Sequence, residues 1–327
     1  MRYRNVRFLG GLEVQVLKVG SFGGIVGFYA RKLFPSFCSK AYLTILRVNK
    51  GFEKQYINSL SNTENVPLVH INLETINRCN GTCPFCPNNV KADKRKLHRM
   101  DDITFKKVIS DLKNADYHGV LSLQGNGEPF LDEEMPERIC YVREELPNAH
   151  LVLFTNGTML NESILEKIAG KLDELFINNY SEKYKLNPKI KMAKKYIESH
   201  ADMFGGMRVY IEYRYKNEIL SNRGGKSPNK KNDVKIYKSR CILPYMETFI
   251  FSDGSVGLCC CDVEKTFNFG NVMDNTIFEI FNCDELKSIR EKMKNGRSGV
   301  PYCGYCDFES KNGRRRKWAK AIVGEKV

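Results

Sequence analysis

The sequence lacks any apolar stretch long enough to cross a bilayer. Between Lys18 and Arg31 lie twelve uncharged residues, VGSFGGIVGFYA, well short of the ~20 that a spanning helix needs. The start, MRYRNVRFLGGLEVQV, has no uninterrupted apolar segment and no small-residue cleavage site, so no secretory leader is read there. There are no internal repeats and no low-complexity segments. The glycine motifs do not follow the G-x-G-x-x-G pattern, and no acid stands where a dinucleotide site wants one, which argues against NAD. Despite a net charge of +14, no recognition motif or aromatic–basic pattern points to nucleic acid. What remains is a chain of 327 residues, 42% hydrophobic and 28% charged, ordinary for a soluble globular protein. Its length suits one large domain, or one domain with a small module. Twelve cysteines would mean disulfides in a short secreted chain. Without a leader they point to metal in a reducing cytoplasm.

The positive charge is uneven. Residues 1–55 carry ten Lys or Arg against two acids. Basic flanks around the uncharged stretch suit either a pair of helices packed outside the main domain or contact with an anionic membrane surface. Residues 1–65 are expected to form a basic, helical N-terminal extension.

From residue 66 strand and helix patterns alternate. PLVHINLE, GVLSLQ, HLVLFTNG, DELFINNY and MRVYIEYRY read as strands. Between them lie amphipathic segments such as DITFKKVISDL, with Phe105, Val108, Ile109 and Leu112 at helical spacing, and NESILEKIAGKL, where Asn161 is the expected N-cap. Repeated βα units imply parallel strands with right-handed crossovers. Five units rather than eight imply an open, partial barrel. A fully buried parallel strand is apolar on both faces, but these strands have one polar face: His70, Asn72 and Glu74 on the first, Tyr210, Glu212 and Arg214 on the fifth. Those faces are expected to line a wet cavity, and Glu212 and Arg214 are candidate catalytic residues. Residues 216–240 are polar, glycine-containing and basic, and read as a loop or linker.

Cysteines 79, 83 and 86, in RCNGTCPFCPN, are spaced C-x3-C-x2-C. Three thiolates on one loop can hold three corners of a [4Fe–4S] cube. The fourth iron then lacks a protein ligand and is open to a small molecule, by the logic of a catalytic zinc. CNGTCPFC resembles the signature loop of the radical S-adenosylmethionine (radical SAM) superfamily, down to the aromatic Phe85 before the third cysteine. The resemblance implies that SAM chelates the open iron and is cleaved reductively to a 5′-deoxyadenosyl radical, which removes a hydrogen atom from a substrate. It also gives meaning to two further motifs. Gly125, Gly127 and Glu128 of QGNGEP follow the second strand and resemble the stretch that binds the methionine amino group of SAM. Thr155 and Asn156 of TNG, at the end of the third, resemble a second SAM contact.

A second group, Cys241, Cys259, Cys303 and Cys306, follows C-x12-G-x4-C … C-x2-C. Four thiolates can ligate a complete second cube or a zinc ion. Between them ETFIFSDGSVGLCC reads as a hairpin turning at SDGS. Three cysteines, 259 to 261, compete for one ligand place, and the glycine spacing selects Cys259. The pattern resembles the SPASM/Twitch modules appended to radical SAM enzymes. The expected organisation is 1–65 extension, 66–225 radical SAM core, 226–240 basic linker, 241–310 iron–sulfur module and 311–327 basic tail. The resemblance implies two [4Fe–4S] clusters, SAM, and a flavodoxin- or ferredoxin-like reductant. The expected reaction is oxidation of an anionic sugar or cyclitol derivative, the auxiliary cluster taking an electron. Maturation of a ribosomal peptide and a non-catalytic electron-transfer or zinc protein are the alternatives.

Overall fold

The computed structural model describes residues 4–7, 13–16, 51–60, 63–91, 93–181, 185–217, 220–230 and 235–308. Five strands follow one another as expected: β3 (His70–Leu73), β4 (Val120–Ser122), β5 (His150–Thr155), β6 (Glu174–Ser181) and β7 (Arg208–Tyr215). All four adjacent pairs are parallel. Helices α2 (Asp102–Asn114), α3 (Met135–Glu145), α4 (Glu162–Ile168) and α5 (Pro188–Ser199) form the crossovers; residues 51–59 form α1. Asp101 accepts the Thr104 N–H at the start of α2, and Asn161 accepts that of Ile164 at the start of α4. Both shield amide donors that a helix leaves unpaired.

The register settles which faces are which. Val69, Ile71, Leu121, Leu151, Leu153, Leu175, Ile177, Val209 and Ile211 share the outer face and are buried. Phe105, Val108, Ile109 and Leu112 of α2 are buried too, each such side chain contributing roughly 1.5–3 kcal/mol. The inner face starts polar on β3 and β4, with His70, Asn72 and Ser122. It becomes aromatic in the middle, where Phe154, Phe176 and Tyr210 stack with ring centroids 4.5 Å apart.

The sheet is larger than five units. Strand β8 (Glu247–Ile250) pairs parallel to β3, and β9 (Val256–Gly257) returns antiparallel to β8. The expected hairpin is present, turning at Gly254 with φ +79°. Its first strand, however, belongs to the main sheet. The C-terminal module is thus built onto the barrel's edge rather than hung from it. Helices α6 (Ile277–Phe281) and α7 (Asp284–Lys294) complete the module. Arg290 of α7 is buried beneath them, donating to the carbonyls of Pro244 and Phe281.

Two expectations need correction. The N-terminal extension is not wholly helical: β1 (Arg4–Arg7) and β2 (Glu13–Val16) form an antiparallel pair, and β2 adds parallel to β7. An exposed sheet edge recruits extended chain, and EVQV has strand alternation. The reading of VGSFGGIVGFYA lies outside the described residues. Among the described residues the order is β1-β2-β7-β6-β5-β4-β3-β8-β9, an open sheet. Within the 216–240 stretch, residues 220–230 are packed against the C-terminal module rather than free in solvent. Asn222 and Ser227 are completely buried. Asn222 exchanges hydrogen bonds with Asp307 and donates to the Tyr305 carbonyl at 2.8 Å. Its lysines and arginines disguise a segment whose buried polar side chains are Asn222 and Ser227. Among the described residues no helix is long and apolar enough to cross a membrane.

Candidate active site

Strand β3 runs directly into the cysteine loop. Arg95 clamps the loop's return, pairing with Asp93 at 3.0 Å and Glu74 at 3.4 Å and donating to the Asn77 carbonyl at 2.8 Å. Asn89 Nδ2 donates to the carbonyls of Cys83 (3.1 Å) and Cys86 (2.7 Å), which fixes the short turn carrying both. The Gly81 N–H points at Cys79 Sγ, 3.2 Å away. Burial pushes the Cys79 thiol up to about 12 and Cys83 to about 11. A bound metal reverses that order, since a coordinating thiol is deprotonated. Phe85 is buried, its ring tilted against Tyr180 at 5.5 Å, and its carbonyl accepts from Ser227 Oγ at 2.7 Å.

The QGNGEP loop packs against this one. A side chain at Gly127 would strike the carbonyls of Ile76 and Arg78 at 2.6 and 2.7 Å, and one at Gly125 would strike Phe249 and Glu74. These glycines serve close approach of two protein loops, not only of a ligand. The Glu128 N–H donates to the Arg78 carbonyl at 2.8 Å. Its carboxylate is buried and accepts from Thr155 Oγ1 at 2.6 Å and from the Asn156 N–H at 2.7 Å. Desolvation nevertheless raises it to about 7. Asn156 reaches back to Asn80 Oδ1 at 2.8 Å. The three motifs that stand far apart in sequence therefore form one wall.

That wall borders a cavity of about 590 Å³. Cys79, Cys83, Phe85, Cys86, Gly125, Gly127, Glu128, Thr155 and Asn156 all line it. From the polar inner faces, His70, Asn72, Ser122, Gln124, Asn178 and Arg214 line it as well. Glu74 and Glu212 do not: the first is engaged by Arg95, and the second lies 3.8 Å from Arg214 off the cavity wall. Arg214 lies over the Tyr180 ring at 5.5 Å.

The second thiol group converges as its spacing implied. Cys241, Cys259, Cys303 and Cys306 are buried around one small chamber. Cys261 joins them there, which spacing had not selected. A thiol hydrogen bond from Cys261, ahead of backbone bonds and Arg297, pulls Cys306 down to about 6. Burial pushes Cys241 and Cys303 up. Buried Arg297 lies beside the thiols and donates to the carbonyls of Ser239, Arg240 and Cys306, placing a cation where thiolates would gather. Among the described residues no three His, Cys, Asp or Glu side chains converge on a single ion position; thiolates of a cube bind different irons and need not converge. The donor sets fit the groups: three thiols with an open front at the first centre, four or more enclosed at the second.

Residues that pattern reading passed over complete the wall between the centres. Cys260 faces the large cavity while its neighbours, 259 and 261, face the chamber. Arg223 is half-buried, at φ +46°, and donates to Asn126 Oδ1 (2.6 Å) and the Cys260 carbonyl (2.9 Å). Because the guanidinium only donates, Asn126 must turn its oxygen toward it. Alternation within CCC was the available signal for Cys260; nothing in SNRGG marked Arg223 as part of the cavity wall.

An open parallel sheet with a three-thiol loop at its strand ends, and a closed thiol chamber behind, defines an enzyme of iron–sulfur radical chemistry. Residues 73–198 match the model of the radical SAM superfamily, and residues 241–307 that of the SPASM iron–sulfur cluster-binding domain. The chain is a radical SAM enzyme with a C-terminal SPASM module, and its cofactors are [4Fe–4S] clusters and SAM. It is 28% identical over 233 residues to an S-adenosyl-L-methionine-dependent 2-deoxy-scyllo-inosamine dehydrogenase of Niallia circulans, spanning 70% of this chain and 88% of that protein. In fold it is similar to BtrN solved with AdoMet and 2-DOIA (TM-score 0.64, 24% identity, 75% of this chain and 95% of that one). It is also similar to Streptococcus suis SuiB solved with its precursor peptide SuiA (TM-score 0.52, 14% identity, 77% and 72%).

Proposed function

We propose that this enzyme dehydrogenates an alcohol carbon of a small polyol, a cyclitol or sugar derivative with an anionic group. The carrying observation is the wall in which Cys260 faces the cavity while Cys259 and Cys261 face the thiol chamber. It puts an electron outlet directly behind the substrate space, which a two-electron oxidation needs and a simple hydrogen abstraction does not. The likeness to the inosamine dehydrogenase supports the same reading. When bound, the clusters and SAM supply a hydrogen-abstracting 5′-deoxyadenosyl radical and an acceptor for the second electron.

The chain's own residues have the following parts. Cys79, Cys83 and Cys86 hold the first cluster, and Cys241, Cys259, Cys303 and Cys306 the second. Glu128, oriented by Thr155 and Asn156, pairs with the SAM ammonium. Phe85 closes the cavity beside Tyr180. Arg214, Lys216 and Arg223 line the cavity and favour anionic oxygens, Arg through its bidentate fork. Glu212 has a supporting part, beside Arg214. The reductant is a flavodoxin- or ferredoxin-like protein. The site of action is the cytoplasm, and membrane contact would use residues 1–55.

The test is to incubate reduced enzyme with SAM and either 2-deoxy-scyllo-inosamine or nucleotide sugars. The expected result is 5′-deoxyadenosine together with a product two mass units lighter. Response only to a peptide, and to no alcohol, would sink the reading in favour of peptide maturation.

A further inference from the structure

Three polar side chains meet at the floor of the cavity, outside every cysteine motif and outside the SAM constellation. His70 opens β3, Ser122 ends β4 and Glu247 opens β8. All are buried, Ser122 and Glu247 completely. His70 Nε2 lies 2.8 Å from Ser122 Oγ, and His70 Nδ1 lies 3.3 Å from Glu247 Oε2. Glu247 Oε1 accepts the backbone N–H of Cys260 at 3.3 Å. His70, Ser122 and Cys260 line the same cavity as Cys79 and Glu128. Ser122 pairs in register with Asn72, not with His70, so it sits one layer nearer the cysteine loop.

Hydrogen-bond chemistry orders the three. An ionised carboxylate only accepts, so Nδ1 carries its hydrogen toward Glu247. Nε2 is then bare and accepts from the Ser122 hydroxyl. The Ser122 oxygen keeps lone pairs for a donor in the cavity. Strand pairing does not require this arrangement, since β3 and β8 are joined along their backbones from His70↔Glu247 to Leu73↔Ile250. A buried ionisable pair is also costlier than apolar packing of similar volume.

Resting on the dehydrogenase reading above, we infer that Ser122, His70 and Glu247 form the proton outlet of the oxidation. Turning a secondary alcohol into a ketone breaks one C–H and one O–H bond and forms the C=O π bond. With the cofactors bound, SAM would supply the acceptor of the hydrogen atom and the auxiliary iron–sulfur centre would supply the acceptor of one electron. The hydroxyl proton still needs a base. Glu128 is held by Thr155 and Asn156 and faces SAM, and Arg214, Lys216 and Arg223 are cations. The substrate hydroxyl gives its proton to Ser122 as Ser122 passes its own to His70, and Glu247 stabilises the imidazolium.

The experiment uses the reconstituted enzyme with SAM and 2-deoxy-scyllo-inosamine. Ser122→Ala removes one oxygen and should lower ketone formation by about tenfold, and His70→Gln by about 10²-fold, the low end of general-base effects. Both should keep iron content, SAM cleavage and equilibrium binding of the inosamine, so the ratio of 5′-deoxyadenosine to ketone rises. If His70→Gln does not hold its clusters, Ser122→Ala decides. Wild-type ketone yield in Ser122→Ala and His70→Gln, or lost inosamine binding with an unchanged ratio, overturns the relay alone. A wild-type enzyme that oxidises no alcohol probe overturns the dehydrogenase reading and the relay with it.

Discussion

Glu128 Oε1 lies 2.6 Å from Thr155 Oγ1, across an interval of 27 residues. That bond joins the loop after β4 to the end of β5 and fixes the carboxylate at the cavity wall. Desolvation holds Glu128 near 7, so without a ligand it takes a proton as pH falls below that value. In the proposed pairing, the SAM ammonium would bind only the charged form. SAM affinity should therefore fall as pH drops below about 7, by up to tenfold per unit. Equilibrium binding to reconstituted enzyme from pH 5.5 to 7.5 checks this. Glu128→Gln should bind weakly and flatten the acid limb while keeping its iron; an unchanged limb would place the titrating group elsewhere.

Iron content separates the two centres. Reconstituted wild-type protein should hold about eight irons, from two four-iron cubes. Alanine at Cys79, Cys83 and Cys86 together should leave about four and abolish 5′-deoxyadenosine formation. A triple variant that keeps both its irons and SAM cleavage contradicts the assignment.

The chamber contains one thiol more than a cube uses. Cys261→Ser should keep about eight irons, whereas Cys303→Ala with Cys306→Ala should keep about four and still cleave SAM. Stoichiometric zinc with only four irons, measured by elemental analysis of an anaerobic preparation, would make the module structural.

Asn222→Ala should destabilise the protein by about 1–2 kcal/mol, because it removes the hydrogen bonds that the buried Asn222 side chain makes with the Asp307 N–H and the Tyr305 carbonyl. Denaturant titration reads this directly. An effect below about 0.5 kcal/mol, typical of open surface positions, would return the segment to the status of a linker.

Arg214→Lys should raise the Michaelis constant of an anionic substrate and leave SAM cleavage unchanged, since Lys keeps the charge and loses the planar fork. Added salt should weaken turnover as it screens the cavity's cations. A Michaelis constant indifferent to both changes argues for a neutral substrate.

Local chemistry was legible in the chain itself. The C-x3-C-x2-C loop pointed to an open [4Fe–4S] cube through residue type and spacing, the resemblance it carries gave GNGEP and TNG their SAM reading, and the four later cysteines announced a second cluster or a zinc ion. The period-2 pattern of β3 and β7 told which side chains share a face, because pleating alternates them whatever surrounds the strand. Asn161 announced a helix start for the same local reason.

Partnership across the sheet was not legible. ETFI reads as half of a hairpin, and only its pairing with His70–Leu73 makes it the sixth parallel strand of the β3–β8 run. Arg223 reads as one charge in a basic loop, and only the fold brings it between Cys260 and Asn126. Glu212 and Arg214 share a strand face, yet curvature and neighbours admit only Arg214 to the cavity. His70, Ser122 and Glu247 carry no common motif, being 52 and 125 residues apart in sequence along the chain. Spacing encodes what one loop can hold, whereas contacts between distant strands depend on register and burial, which exist only once the sheet has closed over its core.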